Sequence, residues 1–167
     1  MAKAYFVAGL AGSGKSYYSR KIAKELELKI IDFDDNFNEF IAAHKDEYEE
    51  LGSEKFLANY AITRYTDLIN RAVIELAKNV SVVIAAPFSK QMQVQMLWDA
   101  LISPIKKFDS KPTLYWVVIS DELRKKRLIT RGEMRDAEKI KKIDEYISVS
   151  SAKKPVVEYI LIQGDQR

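Results

Sequence analysis

The stretch GLAGSGKS, residues 9–16, follows directly on the apolar run Tyr5-Phe6-Val7-Ala8. It fills the eight-residue pattern G-x-x-x-x-G-K-[ST] completely, with Gly9, Gly14, Lys15 and Ser16 at the defining positions and Gly12 as a further residue without a side chain. Such a turn needs a buried strand before it and a helix after it, so it sets the strand–loop–helix order of this part of the chain. The glycines let the backbone curl with its N–H groups facing inward, where a Cβ would block the close approach of an anion. A helix starting beside Lys15 brings the positive end of its dipole to the same point. The pattern is a device for holding phosphate.

Each residue of the loop has an expected part. Gly9, Gly12, Ser13, Gly14 and Lys15 wrap the phosphates, with Lys15 reaching the β- and γ-groups of a nucleoside triphosphate. The Ser16 hydroxyl is the expected Mg²⁺ ligand, and Tyr17 stands beside it as a further nucleotide contact.

Short, nearly continuous apolar runs at 4–8, 28–33, 80–86, 113–119 and 156–162 read as strands covered on both faces. Helical patterns lie between them: 16–27, a long one from Ser53 through Leu76, one capped by Ser89 and stopped before Pro104, 121–131, and 136–151. Strands alternating with helices specify a parallel sheet with helices on both faces, a three-layer α/β/α domain. Ligands of such sheets sit beyond the carboxyl ends of the strands. The 34–79 connection has room for two helices and is the natural wall for a second substrate. No linker or repeat divides the chain, so 1–167 reads as a single domain.

The second strand ends in IIDFDDNF. Asp32 and Asp34 are two residues apart and share a strand face, while Asp35 suits the cap of the next helix. Moving a phosphoryl group to a hydroxyl needs one carboxylate to orient or deprotonate that hydroxyl and another to hold the metal's shell. Asp34 is expected in the first role and Asp32 in the second. The third strand runs into VVIAAPFSK, with Ala85 and Ala86 where many phosphate-loop proteins carry a metal-holding acid. Downstream, SDELRKKRLITRGEMRD lines Arg124, Arg127 and Arg131 along one helical stripe, and Arg135 follows Gly132. A cationic lid over 121–136 would stabilise charge on the transferring group and exclude water. Arg131 and Arg135 are its expected catalytic arginines and Arg127 a nucleotide contact; Arg124, Lys125 and Lys126 read as surface.

Composition narrows the chemistry. There is no cysteine, which excludes disulfides, thiolate metal sites and a Cys nucleophile and fits a reducing cytoplasm. Net charge is +3, which suits a polyanionic partner. No apolar run approaches the ~20 residues of a membrane span, and no export signal is read before the loop, so a soluble cytoplasmic protein is expected. The single histidine, His44, reads as packed or exposed rather than catalytic. Phe56, Tyr60 and Tyr65 recur at helical spacing and read as core, Trp98 and Trp116 as buried packing, and Phe88, Ser89 and Lys90 as residues at the ligand edge of the third strand.

Together, GLAGSGKS, IIDFDD and RLITRGEMRD resemble the small P-loop kinases over essentially the whole chain. That resemblance implies a five-stranded parallel sheet in the order 2-3-1-4-5 and transfer of the γ-phosphate of ATP, with Mg²⁺, to a hydroxyl. The D-x-D form is similar to shikimate- and gluconate-type kinases and implies metal contact for Asp32 and acceptor contact for Asp34. The Asp34-Asp35 doublet is similar to the phage type of polynucleotide 5′-hydroxyl kinase, in which the first Asp is the general base; related phage kinases act on 5-hydroxymethyluracil in DNA. A nucleotide or nucleic-acid hydroxyl is therefore the favoured acceptor and a small metabolite the alternative. A non-catalytic nucleotide-binding module, or a slow ATPase switch, is the alternative of another class, favoured by the alanines at 85 and 86.

Overall fold

The computed structural model describes residues 1–166. Five parallel strands, β1 (Ala4–Ala8), β2 (Lys29–Asp32), β3 (Val82–Ala86), β4 (Thr113–Val118) and β5 (Ile160–Gln163), form one sheet in the order β2-β3-β1-β4-β5. Parallel neighbours require crossovers, and helices supply them: α1 (Lys15–Leu26), α2 (Phe37–Ala43), α3 (Lys45–Leu51), α4 (Ser53–Asn59), α5 (Ala61–Ala77), α6 (Gln95–Ile102), α7 (Asp121–Arg131), α8 (Ala137–Lys141) and α9 (Ile143–Val149).

Successive strand residues face opposite sides, which explains why the strand runs are apolar without alternation. In β1, Phe6 and Ala8 pack with Leu68, Ala72, Leu76, Trp98 and Ile102 on the face of α5 and α6, while Val7 packs with Ile22 and Ala23 of α1 on the other. Trp98 stands edge-on to Phe6 at 5.1 Å, and Trp116 is buried within the same cluster. From β1 the chain builds outward to β3 and β2 on one side and to β4 and β5 on the other, leaving a crevice beyond the carboxyl end of β1.

Several elements depart from the sequence expectations. The 34–79 excursion holds α2, α3, α4 and α5 rather than two helices, because His44, Gly52 and Tyr60 each leave helical geometry. Ser89 caps nothing: a 3₁₀ turn at Gln91–Gln93 intervenes and Val94 takes the cap position of α6. The expected 136–151 helix is broken at Lys142. The segment before β5 does not extend the sheet, since the Val156 amide bonds to the Met92 carbonyl instead and pairing with β4 begins at Ile160.

Candidate active site

The phosphate loop leaves β1 at Gly9 and enters α1 through Gly14, the cap residue of that helix. Inside the turn, the Ser13 amide donates to the Leu10 carbonyl at 3.0 Å. A side chain at Gly9 would place its Cβ 2.5 Å from Ser13 Oγ and 2.7 Å from the Val117 carbonyl, so only glycine fits. Gly12 takes a φ of +82°, open to glycine and costly for other residues. The loop's outward carbonyls are held by α7: Arg124 Nε donates to Ala11 O at 3.2 Å and Arg127 Nη1 to Ser13 O at 3.3 Å. With those carbonyls turned out and fixed, the loop's remaining backbone amides are free to face the crevice.

Lys15 Nζ donates to the Leu10 carbonyl at 3.2 Å. Burial lowers its pKa from 10.5 to about 8, with Asp34 and Asp32 opposing that shift by their negative charge. That coupling places both carboxylates close to the lysine. Lys15, Ser16, Tyr17, Asp32 and Asp34 indeed line one cavity of about 820 Å³ beyond the strand ends.

The acidic strand end forms a tight turn. The Asp34 amide donates to Asp32 Oδ1 at 2.9 Å, and the Asp32 amide donates to Asp35 Oδ2 at 3.2 Å. Burial, ahead of its neighbours' charge, raises the Asp32 pKa. Asp35 is thus engaged inside the turn, and Asn36, not Asp35, takes the cap position of α2.

α7 and the segment after it bring their cations to the same cavity, each already paired. Arg135 Nη1 donates to Asp34 Oδ2 at 2.7 Å, and its Nε lies 2.7 Å from Glu133 Oε2. Arg131 Nε donates to Asp136 Oδ2 at 3.0 Å, and its Nη2 bonds the same oxygen; Asp136 is 1% exposed and also pairs with Lys139. Arg127 bonds Gly164 O as well as Ser13 O. Arg124 departs most from expectation. It is 2% exposed, with Asp121, Ser150 and Ala11 all bonded to its guanidinium, so it is a buried strut from the phosphate loop to the end of α9.

The family model described as AAA domain covers residues 5–148. The chain belongs to the AAA domain family. The AAA domain here has the fold of the small P-loop kinases. Similar solved structures include a sugar kinase from a Janibacter species (15% identity, covering 100% of this chain and 88% of that one, TM-score 0.63). A gluconokinase from Sinorhizobium meliloti is also similar (14% identity, 99% and 84% covered, TM-score 0.56). So is the Mycobacterium tuberculosis APS kinase in complex with AMPPNP and APS (15% identity, 98% and 89% covered, TM-score 0.60). No curated protein matches it in sequence.

Within this AAA domain, the donors suit a magnesium ion. Mg²⁺ prefers one or two protein oxygens and completes its shell with phosphate and water. The Ser16 hydroxyl and the half-buried Asp32 carboxylate line the cavity beside Lys15 and could hold it there. Among the described residues, no group of three or more His, Cys, Asp or Glu is arranged to hold a metal on its own.

Two arginines of α5 escape a reading of short motifs. Arg64 lies in the cavity wall, its Nη2 donating to the Phe33 carbonyl at 3.1 Å and standing 3.8 Å from Asp34 Oδ1. Arg71 bonds the Asp32 carbonyl at 3.1 Å. The signal for Arg64 was present, since it interrupts an apolar stripe that includes Ala61, Tyr65, Leu68, Leu76 and Ala72. Tyr65 also lines the cavity and accepts from the Phe88 amide at 3.1 Å, and burial pushes its pKa up to about 12. Phe88 itself is fully buried rather than at the ligand edge, whereas Ser89 lines the cavity and Lys90 a neighbouring one of about 620 Å³. Phe56 is fully buried, and His44 packs against it, Phe40 and Tyr60. Among the described residues, no helix is long and apolar enough to cross a membrane.

Proposed function

We propose that the protein is an ATP- and Mg²⁺-dependent phosphotransferase that moves the γ-phosphate to a hydroxyl of a second substrate. One observation carries this reading: Asp34 lines the same cavity as Lys15 and Ser16, a cavity also lined by residues of the helical excursion and the lid. A protein that only bound nucleotide would not need a second carboxylate beside one that could hold a metal, and a water-activating carboxylate alone would not need a space walled by its own helices.

Lys15 and the inward amides of residues 9–16 bind the triphosphate tail, supported by the N-terminus of α1. Ser16 and Asp32 would hold a magnesium ion, which would supply charge neutralisation to the bound phosphates. Asp34 orients the acceptor hydroxyl and takes its proton as the oxygen attacks phosphorus and the bond to the β-phosphate oxygen breaks. Arg135, now on Asp34, and Arg131, now on Asp136, are near enough to the cavity to exchange those carboxylates for phosphate oxygens. Such an exchange would free Asp34 when a triphosphate is present and shield the transfer from water.

For the acceptor, the walls favour a compact molecule over a long duplex. Phe37, Leu57, Ala61 and Tyr65 of the helical excursion line the cavity, and a volume near 820 Å³ is of the size that takes small molecules. A mononucleotide, the terminus of a nucleic-acid strand, or a sugar acid each fits this description. Incubation with γ-labelled ATP and pools of oligonucleotides, nucleotides, nucleosides and sugars tests the proposal. Label on any acceptor supports it; release of free phosphate alone would support an ATPase switch instead, and no turnover a binding module.

A further inference from the structure

Asp32 and Asp34 line the cavity, but the main chain that carries them runs along an open border of the sheet. β2 is the outermost strand and pairs only with β3. The Phe33 amide still bonds the Ala85 carbonyl of β3 at 2.9 Å, so the main-chain groups of Asp32, one residue earlier, face outward. An edge strand has no ladder partner on that side. The sheet alone therefore does not fix Asp32.

Two side chains from outside the cavity take the place of the missing strand. Asp35 Oδ2 accepts from the Asp32 amide at 3.2 Å, and Arg71 Nη2 donates to the Asp32 carbonyl at 3.1 Å. Arg71 is itself anchored on α5, where its Nε donates to Asp67 Oδ2 at 3.0 Å, and its Nη1 stands 4.0 Å from Asp35 Oδ2. The planar fork of a guanidinium meets several oxygens at fixed angles, which a lysine ammonium on its flexible stem does not. Inside the turn, the Asp34 amide donates to Asp32 Oδ1 at 2.9 Å, so a shift of Asp32 carries Asp34 with it. Arg71, Asp35 and Asp67 all lie outside the residues that line the cavity. The Arg71 and Asp35 side chains are 29% and 59% exposed, and ion pairs so open to water add little to stability. What they fix is a position.

Resting on the kinase reading above, we propose that Arg71 and Asp35 are positioning residues that clamp the main chain of Asp32 from outside the cavity. The clamp sets the Asp32 carboxylate where it can hold magnesium and the Asp34 carboxylate where it meets the acceptor hydroxyl. Asp35, the second acid of the doublet, acts through the turn and touches neither substrate. Side chains that orient a ligating carboxylate in this way typically matter roughly tenfold to a hundredfold in metal affinity.

The test is the gain in AMPPNP affinity that Mg²⁺ confers, measured by calorimetry with Mg²⁺ and again with EDTA. Wild type, Arg71→Ala, Arg71→Lys, Asp35→Ala and Asp35→Asn are compared, with urea unfolding to establish that each is folded. Without the metal, the phosphate loop and Lys15 hold AMPPNP, and all five proteins should bind it within about twofold of one another. The gain from Mg²⁺ should fall by roughly tenfold or more in Arg71→Ala and Asp35→Ala. Arg71→Lys should recover little of it. Asp35→Asn, whose side-chain oxygen can still accept from the Asp32 amide, should retain most of it. Should Arg71→Ala fail to fold, Asp35→Ala, at an exposed side chain, carries the comparison.

Equal gains in wild type and the alanine variants overturn the proposal and leave the kinase reading intact. Parallel losses with and without Mg²⁺ also overturn it, since they mark a structural role alone. A wild type that binds AMPPNP but gains nothing from Mg²⁺ removes the metal from the kinase reading and this inference with it.

Discussion

To grip phosphate in the proposed way Lys15 would have to be charged, yet the fold withdraws it from water. Its pKa of about 8 means that the empty site loses the lysine's charge as pH rises through that value. Affinity for a triphosphate should therefore fall on the alkaline side, by up to about tenfold per pH unit. The same shift has the opposite effect on stability. Between about 8 and 10.5 the unfolded chain binds a proton at this residue that the folded chain has shed, so this group's contribution to stability rises with pH across that window. Titrating AMPPNP from about pH 7 to about pH 9.5, alongside urea unfolding of the nucleotide-free protein, separates the two; an affinity flat across that range contradicts the buried lysine. At this scale the sequence was most legible where chemistry is local. Lys15, Ser16, Asp32 and Asp34 meet in one cavity because β1 and β2, whose ends carry them, flank β3, whereas Arg64 reaches Asp34 from 30 residues along the chain and no short motif marks it.

The phosphate loop is shaped by an element more than a hundred residues away in sequence. The Ala11 and Ser13 carbonyls are turned outward by guanidinium groups of α7, and a Cβ at Gly12 would lie 3.0 Å from the Arg124 carbonyl. Replacing Arg124 by Ala would leave the Ala11 and Ser150 carbonyls without their buried donor. The expected cost is on the order of 3 kcal/mol of stability, with weaker AMPPNP binding even under conditions in which the variant is fully folded. Denaturant unfolding and calorimetry measure both, and unchanged AMPPNP affinity would separate α7 from the loop. Gly9→Ala should cost about 1–3 kcal/mol through overpacking against Ser13 and Val117. Helical periodicity located α1, α5 and α7, but a charge run on α7 looks the same whether its arginines face water or a loop carbonyl. Arg124 was misread for that reason. The excursion's breaks at His44 and Tyr60 were equally hidden, since neither residue is a strong helix breaker and an aromatic cluster around Phe40 and Phe56 governs the packing there.

For the molecule as a whole, the layered sheet and the site at its carboxyl edge follow from apolar runs alternating with helices, whereas the strand order was implied by the resemblance to small P-loop kinases, and the last run is half-exposed in β5 rather than covered on both faces. Membership of the AAA domain family and the similarity to small P-loop kinases agree with that architecture. What neither architecture nor composition encodes is the acceptor, because its wall is assembled from helices whose sequence reads as ordinary core. Function rests on whether the carboxylate across from the phosphate loop does chemistry. The decisive comparison is label transfer from γ-labelled ATP by wild type and Asp34→Asn, with AMPPNP affinity measured on the same preparations. Loss of transfer by ~10² or more at undiminished AMPPNP affinity is the predicted result, the size being that of general-base catalysis. Near-normal transfer by Asp34→Asn would contradict it.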